Sequence, residues 1–309
     1  MIPLLPPDEQ GLARAVQLLR DGQLVALPTE TVYGLAARAD SEAAVAMIYR
    51  AKGRPSFNPL IVHVSGVDMA RRLALFDGRA ELLARHFWPG PLTMVLPLRD
   101  NAGIAPAVTA GLPTVALRSP SHPLAHGVLA ALDLPLAAPS ANRSTGISPT
   151  TPAHVLASLE DGVAAVLDGG ACAQGLESTI VALRDAGQWS LLREGPVTAA
   201  ALAEVLGCPP VDLERGIEAP GQLVRHYSPG KPLRLNALAA GEGEFLIGFG
   251  AVMGDCSLSE DGDLAQAATR LYTCLHEAAA SDCGRIAVAP IPSVGIGAAI
   301  NDRLLRAAA

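Results

Sequence analysis

The stretch Lys52-Gly53-Arg54-Pro55-Ser56-Phe57-Asn58-Pro59 concentrates more chemistry than its neighbours. It holds one of only two lysines, between Arg50 and Arg54, and no acidic residue falls between Glu42 and Asp68. Pro55 and Pro59 stiffen the segment and end any helix arriving from Ala44–Arg50. A rigid loop carrying these groups suits phosphate or carboxylate recognition, because a guanidinium offers a planar fork and an ammonium a point charge. A solvated basic turn is the competing explanation.

Four more polar segments flank apolar runs. Pro28-Thr29-Glu30-Thr31-Val32-Tyr33-Gly34-Leu35 follows the first run directly, and open α/β sheets place ligands at such strand ends. The alternative is an ordinary turn with Gly34 at positive φ and local Thr and Glu caps. Pro139-Ser140-Ala141-Asn142-Arg143-Ser144, with Ser148 shortly after, repeats the pattern, but no G-x-S-x-G elbow marks Ser140 as a hydrolase nucleophile. Gly175–Ile180 and Arg193–Pro196 complete the set, while Arg118 ends the run Thr114–Leu117, where a salt bridge to a neighbour is the simple alternative. His63 and His226 lack metal-ligand spacing, so no protein-bound metal is expected.

The elements that must position these residues follow from periodicity. Strands are predicted at Leu24–Leu27, Leu60–Val64, Leu92–Leu96, Thr114–Leu117, Leu134–Ala137, Ala164–Leu167, Thr179–Leu183 and Trp189–Leu192. Helices are predicted from the Asp8 cap to Leu19, and at Ala44–Arg50, Ala80–His86, Ala153–Leu159 and Ala199–Leu206. Several strands follow one another without a helix, which implies a mixed sheet in residues 1–206. Residues 207–232 are rich in Pro and Gly and read as a linker. Residues 233–309 form a small α/β unit with strands Glu244–Gly248 and Arg285–Ala289 and helices Leu264–Ala279 and Ile300–Ala307. Gly248-Phe249-Gly250 reads as a tight turn, since Gly254 is misplaced for a dinucleotide loop.

Half of the 309 residues are hydrophobic and the net charge is −7. No apolar run reaches the ~18–20 residues that a membrane span needs, and the N-terminus lacks a secretory pattern. Five cysteines without a C-x-x-C pair suit reduced thiols in a cytoplasmic protein and argue against a disulfide framework or structural zinc. Overall acidity disfavours a protein that coats nucleic acid. Charge is uneven, however. Between Asp100 and Glu160 the only acid is Asp133, whereas residues 233–309 carry 5 basic and 9 acidic side chains. A cationic pocket is therefore expected in the first part.

PTETVYGL, KGRPSFNPLIVH, WPGPLT, VALRSP, APSANRSTGISPT, GLESTIV and REGPV, in this order, resemble the threonylcarbamoyl-AMP synthase family with its YrdC-like domain. APGQLVRHYSP and the closing GIGAAINDRLLRAA are similar to its long, two-domain form. The resemblance implies an open, twisted, mixed α/β sheet with a cationic cavity, plus a small C-terminal Rossmann-like α/β domain. It implies a nucleotidyltransferase that converts L-threonine, bicarbonate and ATP, with Mg²⁺ on the phosphates, to threonylcarbamoyl-AMP and pyrophosphate. A downstream tRNA threonylcarbamoyl-transferase complex would use the product, with tRNA bound by this chain weakly or not at all.

By the same resemblance, Thr31, His63, Arg118, Ala138 (through its backbone) and Ser178 match positions that hold threonine or its carbamate. Lys52, Arg54, Asn58, Thr114, Ser140, Asn142, Ser148 and Arg193 match positions around the nucleotide. Tyr227 matches one that folds over it, making the linker, with Arg225-His226-Tyr227 between Pro220-Gly221 and Pro229-Gly230, a lid. Lys52 and Arg54 are the candidates for transition-state charge stabilisation. The competing readings are a non-catalytic RNA-binding or ribosome-maturation module, and a carbamoyl-transfer domain of the hydrogenase-maturation type, whose zinc-finger and acylphosphatase-like companions are absent.

Overall fold

Residues 2–159, 162–212, 218–220 and 226–309 are described by a computed structural model. Ten short apolar runs form the first sheet: β1 (Leu4–Leu5), β2 (Val25–Leu27), β3 (Gly34–Arg38), β4 (Ile61–His63), β5 (Leu92–Pro97), β6 (Thr114–Arg118), β7 (Leu136–Ala137), β8 (Ala165–Leu167), β9 (Thr179–Leu183) and β10 (Trp189–Arg193). Their order is β1-β8-β2-β3-β7-β4-β6-β5-β9-β10. Parallel pairs (β4 with β6, β5 with β9) alternate with antiparallel ones (β2 with β3, β5 with β6), the mixed sheet expected where strands follow without crossover helices.

The period-two alternation of strands assigns the two faces. Val62, Met94, Leu117 and Val181 point to one side, where they pack with α2 (Glu42–Lys52), α3 (Val67–Leu73), α4 (Gly78–Phe87), α5 (Pro106–Thr109), α7 (Pro152–Ser158) and α8 (Ala199–Leu206). On the opposite face α1 (Glu9–Arg20) and α6 (Pro123–Leu132) cover Val25, Leu27, Ala36, Leu136 and Ala138. Neighbouring Ile61, Val95, Ala116, Ile180 and Ala182 are instead covered by Ala219 of the linker. That change of cover, from helix to linker, defines the seam where the site lies.

The second sheet is all parallel, ordered β11-β14-β12-β13, from β11 (Leu233–Arg234), β12 (Glu244–Gly248), β13 (Cys256–Ser257) and β14 (Arg285–Val288). It carries α9 (Leu264–Ala280), capped by Asp263, and α10 (Gly297–Ala308). Their apolar faces close over Val32, Ile147 and Leu176 of the first unit, so one hydrophobic cluster joins both. Gly175 sits in this joint at φ +70°, and a Cβ there would come within 2.5 Å of Thr269 on α9.

The sequence expectation lacks β1, β3, α3, α5, α6, β11 and β13, and it ends α2 early. Gly34 opens β3 rather than turning at positive φ; its missing side chain makes room for Ala138, whose Cβ would lie 3.3 Å from an added Cβ. Helix α6 starts with Pro123 and contains Gly127, which hides a helix that buries Ala125, Val128, Leu129 and Leu132. Helix α2 runs on to Lys52 and stops at Gly53 in the left-handed region, so Lys52 belongs to a helix end and not to the proline-stiffened loop.

Candidate active site

The seam holds a cavity lined by parts of all five polar segments and by Arg118. Thr31, His63, Arg118, Ala138 and Ser178, the whole first set, line it, as do Arg54, Ser140 and Arg193 of the second. Register explains the placement: His63 on β4 lies opposite Arg118 on β6, continuing the face on which Ile61 opposes Ala116. The free volume is about 50 Å³, room for a few waters.

Arg118 is buried and donates to Glu30 Oε1 at 2.7 Å, while Glu30 Oε2 accepts from the Ser121 amide at 3.1 Å. Burial would raise the Glu30 carboxyl, but the Arg118 charge and hydrogen bonds outweigh it and hold its pKa below the usual range. Glu30 thus fixes the guanidinium. His63 beside it is kept neutral, pushed down to about 3 by burial and then by the Arg118 charge, and its Nδ1 has no partner among the described residues.

Two other guanidiniums, half-buried Arg54 and buried Arg193, have no carboxylate salt-bridge partner among the described residues. Arg54 donates to the carbonyls of Asn58 and Pro59, and Arg193 to the carbonyl and hydroxyl of Ser178. Burial lowers both, Arg54 to about 10, with Arg193 adding repulsion to Arg54. The Ser178 hydroxyl, matched to the amino-acid set, therefore touches a residue of the nucleotide set.

Lys52 lies behind the cavity wall. Its Nζ donates to the carbonyls of Ser140 at 2.6 Å and Asn142 at 2.5 Å, clamping the Ser140–Asn142 turn. Burial, and secondarily Arg54, push its pKa well down. Asn142 spans its own loop by donating to the carbonyls of Arg143 and Gly146. Asn58, Thr114, Ser148 and Tyr227 do not line the cavity either. Asn58 is buried with its Oδ1 unpaired among the described residues, Thr114 opens β6, and Ser148 donates to Glu177 Oε1 at 2.5 Å.

Glu177 was not singled out by sequence, yet it is the hub of the joint. Its carboxylate accepts from Ser148, from Tyr272 of α9 at 2.8 Å, and from Arg303 of α10 at 2.9 Å. Arg303 is fully buried and also donates to the Glu194 carbonyl. Burial would raise Glu177; Arg303 and Arg193 overcome this and pull its pKa to about 2. Arg303 lies 5.4 Å from the centre of the Tyr227 ring, which also packs against Tyr272 and is fully buried with its hydroxyl unpaired among the described residues.

The described parts of the linker roof the cavity. Glu218 forms a two-pronged pair with Arg184 at 2.6 and 2.8 Å, and Pro220 and His226 line the cavity itself. His226 is neutral, held near 3 by burial, with Nδ1 unpaired among the described residues. Gly221 and Arg225, also named in the predicted lid, lie outside the described residues.

Comparison with known proteins agrees with this architecture. The family model described as "Telomere recombination" matches residues 17–195, and the one described as "Threonylcarbamoyl-AMP synthase, C-terminal domain" matches residues 197–309. A threonylcarbamoyl-AMP synthase of Bacillus subtilis is 37% identical over 98% of this chain and 94% of its own. One of Pyrococcus abyssi is 40% identical over 72% of this chain and 66% of its own. A crystal structure of P. abyssi Sua5 complexed with L-threonine superposes over 100% of this chain and 97% of that one, with a TM-score of 0.90 at 32% identity. With both units matched in order along nearly its whole length, the chain belongs to the threonylcarbamoyl-AMP synthase family in its two-domain form.

Proposed function

We propose that this chain is an L-threonylcarbamoyladenylate synthase, making threonylcarbamoyl-AMP and pyrophosphate from L-threonine, bicarbonate and ATP for threonylcarbamoyladenosine formation in tRNA. The observation that carries the reading is that half-buried Arg54 and buried Arg193 line one cavity, repel each other and, among the described residues, hydrogen-bond to neutral acceptors. Buried cations require anionic partners, and a polyphosphate supplies them. Beside them Arg118 offers its fork to the amino-acid carboxylate, with His63, Thr31, Ser178 and the Ala138 backbone around the amine and side chain. Asn58, Thr114, Ser140, Asn142, Ser148 and Tyr227 shape the nucleotide side.

The threonine amine adds to bicarbonate carbon with loss of water, giving a carbamate. A carbamate oxygen then attacks the α-phosphorus as the bond to pyrophosphate breaks. No protein nucleophile is needed; the side chains orient reactants and neutralise charge that grows on the leaving group. Arg54 performs this directly, and Lys52 by holding the Ser140–Asn142 turn. Glu30 and Glu177, the carboxylates at the site, are occupied by arginines, so its residues do not form a magnesium cage. Mg²⁺ fits as the ATP complex, held by phosphate oxygens and water.

Residues 207–232 act as the lid. Pro220 and His226 line the cavity roof, so withdrawal of the roof would admit ATP, and closure then shields the adenylate from water. No described helix is long and apolar enough to cross a membrane, and a cytoplasmic enzyme handing its product to a transferase complex fits the acidic surface. Pyrophosphate release from ATP tests the proposal. Release that requires both threonine and bicarbonate supports it, and release independent of either refutes it.

A further inference from the structure

The acidic end of the second unit brings together donors that are distant in sequence. Cys256 lies on β13, the edge strand of the small sheet, while Cys274 and Glu277 lie one turn apart on α9. The two sulfurs and a Glu277 oxygen all fall within 4.8 Å of one another. Cys274 Sγ also donates to the Ser257 carbonyl at 3.7 Å. Cys274 is buried, Cys256 half-buried and Glu277 exposed, so the cluster is anchored inside and opens to solvent on one side. It opens into a hollow of about 490 Å³ bordered by Asp255, Glu260 and Asp261.

The geometry points to a zinc site formed by Cys256, Cys274 and Glu277. Tetrahedral coordination with Zn–S near 2.3 Å places sulfurs about 3.8 Å apart, so donors already within 4.8 Å need only small rotamer changes. Two thiolates favour a borderline-soft ion over magnesium or calcium. Binding forms two Zn–S bonds and one Zn–O bond and releases two thiol protons to solvent, leaving water or the Ser257 carbonyl for the fourth position. The bound set carries one net negative charge. Arg270, which donates to the Ser257 carbonyl at 2.7 Å, compensates it. The ion would pin the two-residue edge strand to α9, the helix whose Tyr272 reaches Glu177.

The test uses the reduced, full-length chain, stripped with a chelator, loaded with Zn²⁺ and desalted. One zinc per chain is expected in the parent and in C208S/C283S, none in C256S/C274S, and binding weaker by on the order of 10–100-fold in E277Q. Co²⁺ in the parent protein should give a thiolate charge-transfer band and tetrahedral d–d bands, a readout that does not depend on any variant folding. No retained zinc and no thiolate band in the parent would overturn the assignment, as would zinc that stays in folded C256S/C274S.

Discussion

Replacing Arg303 by methionine keeps much of its volume and removes its charge. Glu177 then retains Tyr272 and Ser148 as donors and the Arg193 charge, but loses the counterion that contributes most to holding it ionised in a buried joint. The magnitude follows from the carboxylate, whose pKa lies near 2 against an ordinary 4.5. At about 1.4 kcal/mol per pKa unit the whole shift corresponds to about 3 kcal/mol of folding stability, shared among Arg303, Arg193 and the Ser148 hydrogen bond, with Arg303 the largest favourable contributor. Because the folded value lies below the unfolded one, that stability is fully present above about pH 4.5 and drains away as the pH falls toward 2. The gap between parent and R303M should therefore be widest at neutral pH and narrow below about pH 4.5. E177Q removes the opposite charge, so the double variant should lose at least about 1 kcal/mol less than the sum of the single losses. Urea unfolding of the four full-length proteins, from neutral pH down to the lowest pH of cooperative unfolding, measures all of this. A loss below about 1 kcal/mol in R303M, a gap constant with pH, or strict additivity would refute the reasoning.

Lys52→Ala frees the Ser140–Asn142 turn and should lower pyrophosphate release by ~10²-fold or more; unchanged turnover would remove Lys52 from the machinery. Glu30→Gln leaves Arg118 without its anchor and should raise the threonine KM about tenfold while the ATP KM stays put; equal effects on both would place Glu30 in general stability instead. Tyr227→Phe removes only a buried hydroxyl that is unpaired among the described residues, so stability should hold while the ATP KM rises, and unfolding at lower denaturant would contradict this. Truncation after residue 207 removes the lid together with Tyr272 and Arg303, and should lower activity or release adenylate to hydrolysis; a truncated chain as active and as tightly coupled would make the linker merely structural.

Local pattern made much of this legible. Apolar runs such as Thr179–Leu183 and Asp- or Thr-capped helices such as α1 and α8 emerge close to their predicted bounds, because burial and capping act over a few residues. The cations of the site were legible too, since arginines at strand ends are conspicuous in an acid-poor stretch. Their partners were not. Glu30 looks like a local cap, although as the only acid between Asp21 and Asp40 it carried a signal. Arg303 interrupts a stripe of Ile300, Leu304 and Ala307, a charged residue at a core position, but its partner Glu177 is 126 positions away and no period links them. Cys256 and Cys274 likewise lack metal-like spacing, because strand and helix supply one thiol each.

Pairing, not mere presence, separates the roles of the buried arginines. Arg303 meets Glu177 within the protein, which makes it a structural cross-link between the two units. Arg118 meets Glu30 with one side of its fork, which orients it and tempers its charge, as suits recognition of a small amino acid. Among the described residues Arg54 and Arg193 hydrogen-bond to neutral oxygens and repel each other, and although the Glu177 charge favours Arg193, burial still lowers both, so a cost of burying them remains. A polyphosphate would relieve that cost and a neutral ligand would not. Triphosphate should therefore stabilise the folded chain more than adenosine, and R193Q should shrink that difference while leaving stabilisation by threonine nearly unchanged. Thermal unfolding with each ligand in turn decides it: equal stabilisation by ATP and adenosine would show that the two guanidiniums belong to the scaffold and not to the nucleotide.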